Sequence, residues 1–250
     1  MPSFSLNDLV ARLNKVDFDF KPIGIIRSCF PEKFGIPRQP GLVKEATATL
    51  ELLPPYDRAE ALEGLETFSH LWLIFVFHAS LKETWKATVR PPRLGGNKRV
   101  GVFASRSMYR PNPIGLSVVE LERVDTSAEQ PRLFLKGVDL LDGTPVLDIK
   151  PYLPYVDAIA DAHGGYAHST PEPRLQVKFS STAATQCTGY EQTYPNLRTL
   201  IIQVLELDPR PAYYNEQHSS REFGMRLLEF DIKWRLAGNL AEVQAIEKAE

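Results

Sequence analysis

The sequence predicts a mainly β fold, an antiparallel barrel or sandwich followed by a small C-terminal α+β domain. Three observations support this prediction. The 250 residues include 20 prolines, many of them in clusters that mark element ends, because proline does not fit inside a central strand or a helix. Between these clusters lie many short runs with strand character, which are typical of antiparallel barrels and sandwiches. From about residue 172 onward the pattern changes to helical spacing and then to strict alternation.

The first part of the chain contains most of the strand-like runs. Residues 70–78 are almost entirely apolar, as expected for a strand buried on both faces. A short helix is predicted around residues 58–65, ending near Gly64. The strand-like runs cover residues 21–30, 46–53, 70–78, 99–105, 116–124 and 132–138.

The tail combines a helix with a hairpin. Residues 195–207 place five aliphatic side chains on one helical face. Residues 230–236 alternate apolar and charged side chains, which predicts a half-solvated strand, and residues 237–239 then turn into a last strand near 242–246.

Flanking segments complete the predicted organisation. Residues 158–173 are rich in Gly, His, Ser and Pro and are interpreted as a linker or long loop. Residues 1–19 are interpreted as an N-terminal helical extension, with the helix over 5–15.

Composition excludes several classes of protein. With 43% apolar and 24% charged residues, the chain is globular rather than disordered. Two cysteines, Cys29 and Cys187, are too few for a disulfide-dense scaffold or a four-cysteine zinc site. The apolar run at 71–77 is far shorter than the roughly 20 residues of a membrane helix. The first residues lack the features of a signal peptide, so we expect a cytoplasmic protein.

The charge distribution is uneven. Residues 84–119 contain seven bases and no acid, and residues 21–44 contain five bases and one acid. Such clusters favour a partner that carries phosphate or carboxylate groups. A solvated basic face is the alternative interpretation.

The common cofactor and metal motifs are absent from the sequence. It has no glycine-rich Rossmann fingerprint, no P-loop, and no H-E-x-x-H or C-x-x-C. His163 and His168 lie five residues apart without a nearby cysteine, which is weak evidence for a metal site. We therefore predict no metal.

Three loops have a composition that suits ligand binding. Residues 34–42 form a stiff loop with a charge and an amide, and residues 90–115 combine glycines, prolines and arginines. Residues 139–145 contain an Asp-Gly-Thr turn that is expected to expose N–H groups and a hydroxyl. Together the loops favour an anionic or zwitterionic ligand.

These loops carry a resemblance to a known family. The matching stretches include Phe34-Gly35-Ile36-Pro37-Arg38-Gln39 and Asp142-Gly143-Thr144-Pro145, and the tail adds Asp208-Pro209-Arg210-Pro211-Ala212-Tyr213. They resemble the TsaA-like (YaeB) family, and within it the bacterial S-adenosylmethionine-dependent tRNA methyltransferases. The resemblance covers residues 20–160 as the cofactor-binding barrel domain and continues into a C-terminal domain at 172–250. Ser107-Met108-Tyr109 is a mild departure from the family pattern.

The resemblance implies a fold and an activity. We expect a single-sheet antiparallel barrel that binds S-adenosylmethionine, acts as a homodimer, and methylates N6 of threonylcarbamoyladenosine beside the anticodon of a threonine tRNA. Arg38 or Arg106 suits the methionine carboxylate of the cofactor. The implied cofactor-binding residues are Pro37, Arg38, Gln39, His78, Ala79, Arg106, Leu116, Asp142, Gly143, Thr144 and Pro145.

Several residues are candidates for binding the substrate and for taking up the N6 proton. Phosphate contacts are expected from Arg90, Arg93, Arg99 and Arg110, with Arg210 and Tyr213 as further contacts of the anticodon arm. The alternative for Arg210 and the tyrosines is a structural role that pins the small domain to the barrel. A base for the N6 proton is open among Tyr109, Asp139 and Asp142. The alternative functions are a methyltransferase with another substrate and a non-catalytic RNA-binding barrel.

Overall fold

The computed structural model describes residues 18–81, 84–127, 129–210 and 222–249, and its strands form a closed barrel, a four-stranded sheet and a small two-stranded ribbon within these ranges. The helices are α1 Pro154–Asp157, α2 Ser181–Tyr190 and α3 Leu197–Glu206. The strands are β1 Gly24–Ser28, β2 Thr47–Leu52, β3 His70–Val76, β4 Thr88–Val89, β5 Val100–Gly101, β6 Ile114–Asp125, β7 Arg132–Lys136, β8 Pro145–Pro151, β9 Gln176–Phe179, β10 Glu222–Leu227, β11 Phe230–Ala237 and β12 Leu240–Lys248.

The barrel is a single closed sheet in the order β1-β2-β7-β6-β3-β8. Every neighbouring pair is antiparallel. Burial alternates along the strands, so that Leu50, Leu73 and Leu133 fill the interior while their neighbours face outward. The predicted mainly β, single-sheet antiparallel barrel is confirmed.

Some predicted elements differ from the structure. Strand β3 ends at Val76 and buries only alternate residues, so the prediction of a strand buried on both faces is wrong. Its other face carries Trp72, which packs against Tyr152 at 6.0 Å between ring centroids. The outward residues Trp72, Ile74 and Val76 are apolar but only partly buried, which is why the whole run is apolar in sequence.

Two further predictions fail for local reasons. The strand expected at 99–105 is only the two-residue β5, and it is followed by a 3-10 turn, Val102–Ala104, closed by the Ser105 hydroxyl donating to the Val102 carbonyl at 2.8 Å. The helix expected at 58–65 is instead two 3-10 turns, Ala59–Leu62 and Leu65–Thr67. Gly64 between them has φ +83°, a left-handed conformation that ends the first turn.

The C-terminal part is an α+β unit, as predicted. Its sheet has the order β10-β11-β12-β9, in which only the β12–β9 pair is parallel among the described residues. Helix α3, predicted at 195–207, buries one aliphatic face, and β11, β12 and the turn between them are confirmed. Strand β9 and helix α2 were not expected from the sequence. Helix α2 begins with Ser180, whose hydroxyl accepts a hydrogen bond from the Ala183 N–H at 3.1 Å.

The α+β unit contacts the loop that joins β1 to β2. The Leu228 N–H donates to the Cys29 carbonyl at 2.8 Å, and the Glu45 N–H donates to Gln203 Oε1 at 3.0 Å. One continuous apolar core runs from the barrel into this unit. The loop after β1 is therefore packed between the two parts of the fold.

Three statements complete the description. Both cysteines are buried and reduced. Within the described ranges no helix is both long and apolar enough to cross a bilayer. The helical prediction for residues 5–15 and the position of Tyr213 lie outside the described residues.

Candidate functional site

The candidate site lies where loops from distant parts of the chain meet at one end of the barrel. The Arg106 guanidinium donates from Nη1 to Gln39 Oε1 at 2.6 Å. This hydrogen bond joins the loop after β1 to the segment before β6, which are 67 residues apart. Two of the segments chosen from the sequence are thereby in direct contact.

A second contact joins the loop after β1 to the turn after β3. Lys33 Nζ donates to the Ala79 carbonyl and to Ser80 Oγ, each at 3.2 Å. The buried Ser80 hydroxyl in turn donates to Met108 Sδ at 2.9 Å. Sequence reasoning missed Lys33 and Ser80 as organising residues, although Lys33 belongs to the basic stretch 21–44. Together they fix Ala79, a predicted cofactor-binding residue, and Met108, which directly precedes the candidate base Tyr109.

The turn before β8 uses its N–H groups, its carboxylate and its hydroxyl for hydrogen bonds within the protein. The Asp142 carboxylate accepts the Ser28 N–H at 2.9 Å, and the Gly143 N–H donates to the Ile26 carbonyl at 2.8 Å. The Thr144 hydroxyl is buried and donates to the Leu141 carbonyl at 2.6 Å. The expectation that this turn exposes its N–H groups and hydroxyl is therefore wrong. These hydrogen bonds hold the turn against the barrel and fix the position of Pro145, the first residue of β8.

His78 lies between opposite charges next to this turn. Burial lowers the pKa of His78, the nearby Lys33 ammonium lowers it further, and Asp142 opposes both. We therefore expect a neutral imidazole at neutral pH, able to donate from one ring nitrogen and accept at the other. Its neighbour Ala79 is exposed, with its carbonyl held by Lys33.

Asp139 is the most perturbed carboxylate of the candidate site. Burial raises the pKa of Asp139 to about 6, although the Ser117 hydroxyl donates to it at 2.6 Å and the Arg106 charge stabilises its ionised form. Among the three candidate bases, Asp142 is used to hold the Ser28 backbone, and the Tyr109 ring packs under Lys86 Nζ at 3.9 Å from the centroid. Asp139 is the carboxylate whose pKa lies nearest to neutrality.

Apolar side chains accompany these polar groups. Leu116 is 51% exposed and Phe103 is 75% exposed. Between them in sequence, Gly115 permits a close approach of β6 to β3, since a Cβ there would lie 2.2 Å from Phe75 Cζ. A glycine at 115 therefore sets the position of Leu116.

The arginines predicted to contact substrate divide into two groups. Arg110 donates to the Ser105 carbonyl at 2.6 Å, and Arg210 forms an ion pair with Asp208 at 2.7 Å with both side chains 14% exposed. These two guanidiniums have structural partners. Arg90, Arg93 and Arg99 are solvent-exposed. Arg93 bonds to Ser169, and Arg99 donates to Thr88 Oγ1 at 3.1 Å.

No group of three or more His, Cys, Asp or Glu side chains that could hold a metal ion occurs in the part of the chain that the structure describes. Of the two histidines weighed from the sequence, His163 forms a hydrogen bond with the Asp161 carbonyl at 3.1 Å.

Comparison with known proteins covers nearly all of the chain. The tRNA-methyltransferase O N-terminal domain matches residues 25–158, and the TrmO C-terminal domain matches residues 172–249. The tRNA (adenine(37)-N6)-methyltransferase of Escherichia coli K12 is 49% identical over 230 residues, which are 92% of this chain and 98% of that protein. A putative S-adenosylmethionine-dependent methyltransferase, RcsF, of Pseudomonas aeruginosa is 54% identical over 85% of this chain and 90% of its own length.

Solved structures agree with these matches. The crystal structure of TrmO from Pseudomonas aeruginosa superposes with a TM-score of 0.78 at 44% identity, covering 92% of this chain and 98% of that one. A second TrmO crystal structure gives a TM-score of 0.77 at 45% identity. With both domains matched in order and the barrel shared, this chain belongs to the tRNA-methyltransferase O family.

Proposed function

We propose that this protein transfers a methyl group from S-adenosylmethionine to N6 of threonylcarbamoyladenosine next to the anticodon of a threonine tRNA. The observation that carries the proposal is the Arg106–Gln39 hydrogen bond at the end of the barrel, in a chain of the tRNA-methyltransferase O family. It brings a guanidinium and an amide to one place, and the sequence around Arg106 also carries the exposed side chains of Phe103 and Leu116. That combination matches a ligand with a carboxylate, a cation and an aromatic base.

The residues present fit S-adenosylmethionine. Arg38 and Arg106 offer guanidiniums for the methionine carboxylate, a pairing that can be bidentate. Exposed Leu116 offers an apolar surface for the adenine ring. When bound, the cofactor supplies an electrophilic methyl group on a sulfonium. The proposed binding set is Pro37, Arg38, Gln39, His78, Ala79, Arg106, Leu116, Asp142, Gly143, Thr144 and Pro145.

The chain's own residues then have to orient the acceptor and take up one proton. Methyl transfer depends on holding the acceptor nitrogen at about 3–3.5 Å from the methyl carbon, in line with the breaking bond. Attack by N6 releases the proton of that nitrogen. We assign the proton to Asp139, because its pKa near 6 keeps most of the carboxylate ionised at neutral pH while giving it more basicity than an ordinary aspartate.

The proposed substrate surface follows the basic stretch. Arg90, Arg93 and Arg99 are exposed and available to tRNA phosphates, with Arg210 and Tyr213 as further contacts in the tail. Arg110 contributes by holding the 102–105 backbone. We also propose a homodimer, a cytoplasmic location where tRNA is used, and division into a cofactor-binding domain at 20–160 and a C-terminal domain at 172–250.

Mass spectrometry of tRNA nucleosides tests the function. The protein is incubated with S-adenosylmethionine carrying a deuterated methyl group and with threonine tRNA that has or lacks the threonylcarbamoyl group. We expect a labelled methyl on threonylcarbamoyladenosine only. A label on another nucleoside would point to a different substrate. Tight tRNA binding without S-adenosylmethionine binding would favour a non-catalytic RNA-binding barrel.

A further inference from the structure

A cluster of arginines lies where the loop after β1 meets the α+β unit. Gly35 in this loop packs against that unit, since a Cβ built there would lie 3.7 Å from Val204 Cγ1 and 3.8 Å from Met225 Sδ. Arg38 lies three residues after Gly35 in the same loop. From the other side, the Arg174 N–H donates to the Glu206 carbonyl at the end of α3 at 2.7 Å. Arg38 and Arg174 therefore reach the same junction from opposite parts of the chain.

Asp208, whose charge acts on Arg38, is paired with a guanidinium. Arg210 donates from Nε and Nη2 to the two carboxylate oxygens of Asp208, at 2.7 and 2.9 Å. Asp208 has φ +51°, a left-handed conformation that is unusual for a residue other than glycine. The fork from Arg210 holds the aspartate in this conformation.

The cluster has an excess of positive charge. Arg210 pairs with Asp208, and Arg38 and Arg174 add two further positive charges, so these four residues carry a formal charge of +2. Partial desolvation of the guanidinium by the surrounding protein lowers the pKa of Arg38, the Arg174 charge lowers it further, and Asp208 opposes them. Within the described ranges, neither the Arg38 nor the Arg174 side chain makes a hydrogen bond or an ion pair, and both are exposed.

Two neighbouring guanidiniums that make no ion pair within the described ranges repel each other, so the arrangement has an energetic cost in the free protein. An anion placed between them would remove that cost and gain charge-assisted hydrogen bonds. Arg38 directly precedes Gln39, which contacts Arg106, so this anion would lie beside the proposed cofactor site.

We propose that Arg174, next to Arg38 of the proposed cofactor site, binds an oxyanion of the tRNA. This deepens the proposed function and rests on it. Two groups of that substrate carry the required chemistry: the threonyl carboxylate of the modified nucleoside and a backbone phosphate of the anticodon loop. Guanidinium forks match both groups. Arg174 belongs to the α+β unit, whereas the residues proposed to hold the cofactor belong to the barrel loops. We therefore assign Arg174 to the substrate.

The test compares Arg174→Ala and Arg174→Lys with a matched control. Arg235→Ala removes one positive charge from the same unit, at an exposed residue whose ion pair with Glu222 is 3.4 Å long. Fluorescence anisotropy measures the affinity for threonine tRNA with and without the threonylcarbamoyl group, at several salt concentrations. Isothermal titration calorimetry measures S-adenosylmethionine affinity in parallel, and circular dichroism confirms that each variant is folded.

We expect Arg174→Ala to weaken tRNA binding at least about tenfold, the lower range for loss of a hydrogen bond between charged groups. Arg174→Lys should recover part of the loss, because it keeps the charge and loses the fork. A loss confined to the modified tRNA identifies the carboxylate. An equal loss for both tRNAs, with a salt slope reduced by about one, identifies a phosphate. Either result supports the proposal.

Other results overturn it. Unchanged affinity for both tRNAs, or a loss no larger than that of Arg235→Ala, shows that Arg174 binds no oxyanion of the tRNA. An equal loss of S-adenosylmethionine affinity assigns Arg174 to the cofactor instead. If wild-type protein methylates the tRNA and Arg174→Ala binds it normally, only this inference fails. If the wild type binds tRNA without methylating it and Arg174→Ala loses that binding, the oxyanion site stands and the methyl transfer fails.

Discussion

Replacing Asp139 with asparagine should change the pH dependence of stability in a way that isolates one buried carboxyl. In the native protein the Ser117 hydroxyl donates to Asp139 Oδ1 at 2.6 Å, and an asparagine carbonyl can accept the same bond. The substitution therefore removes the charge while keeping the shape and the hydrogen bond. Its effect on the free energy of unfolding should come mainly from ionisation.

The size and sign follow from the pKa. Burial raises the pKa of Asp139 from the ordinary 3.8 to about 6 in the native state. Between these values the native protein holds a proton that the unfolded chain has released, so wild-type stability falls as the pH rises through this window. At 1.36 kcal/mol per pKa unit, the cost at pH 7.5 is at most about 3 kcal/mol. The asparagine variant has no such cost.

Urea unfolding of wild type and Asp139→Asn between pH 4 and pH 8 measures this difference. The stability of the variant relative to wild type should rise by up to about 3 kcal/mol across the range, with most of the change between pH 4 and pH 6.5. Asp125→Asn is the control. Hydrogen bonds from Ser127 lower the pKa of Asp125 below its ordinary value, so its titration lies below pH 4 and the relative stability of this variant should hardly change between pH 4 and pH 8. A difference for Asp139→Asn that does not vary with pH would refute the reasoning.

Three other substitutions test separate parts of the structure. Arg106→Ala should weaken S-adenosylmethionine binding by about 1.5–3 kcal/mol in calorimetry, since a charge-assisted hydrogen bond is lost; unchanged affinity would remove Arg106 from the cofactor site. Gly115→Ala should lower stability by about 1–3 kcal/mol in thermal unfolding, because the added Cβ would lie 2.2 Å from Phe75 Cζ. The double variant with Phe75→Leu should recover part of this loss. Trp234→Phe should lower the free energy of unfolding in urea by less than about 1 kcal/mol, because it deletes a buried Nε1 that has no hydrogen-bond partner among the described residues. A loss of about 3 kcal/mol or more would show that the packing of the indole matters more than its unpaired donor.

The elements with a strong period were predictable from the sequence. Helix α3 and strand β11 each have an apolar face set by local spacing, and both formed where expected. Strand β8 was missed because Pro145 was assigned to the turn at 139–145 and clustered prolines such as Pro151 were interpreted as element ends. In the structure they are its first and last residues, and the strand between them closes the barrel by pairing with β1 and β3. Proline is compatible with strand ends, so its presence could not separate a turn from a short strand.

The composition of the candidate site was predictable, whereas the partners of individual side chains were not. The sequence predicted Arg110 and Arg210 as tRNA contacts. In the structure Arg110 donates to backbone carbonyls, and Arg210 forms an ion pair with Asp208. Arg174 drew no attention because it stands alone in sequence, outside both basic stretches. Its significance depends on Arg38, more than one hundred residues away. Charge counts along a chain record how many cations exist and do not record which of them already have counter-ions.

The α+β unit helps to set the conformation of the loop that carries Arg38 and Gln39. Near the start of that loop, Glu32 Oε1 accepts the Arg226 N–H at 3.0 Å, and near its end the Glu45 N–H donates to Gln203 at 3.0 Å. Anchoring both ends of a loop reduces the conformational entropy that a ligand would otherwise have to remove on binding. The barrel supplies Arg106 from one side, and the α+β unit holds the loop that meets it. The proposed cofactor site and the proposed oxyanion site therefore depend on the same packing between the two parts of the fold.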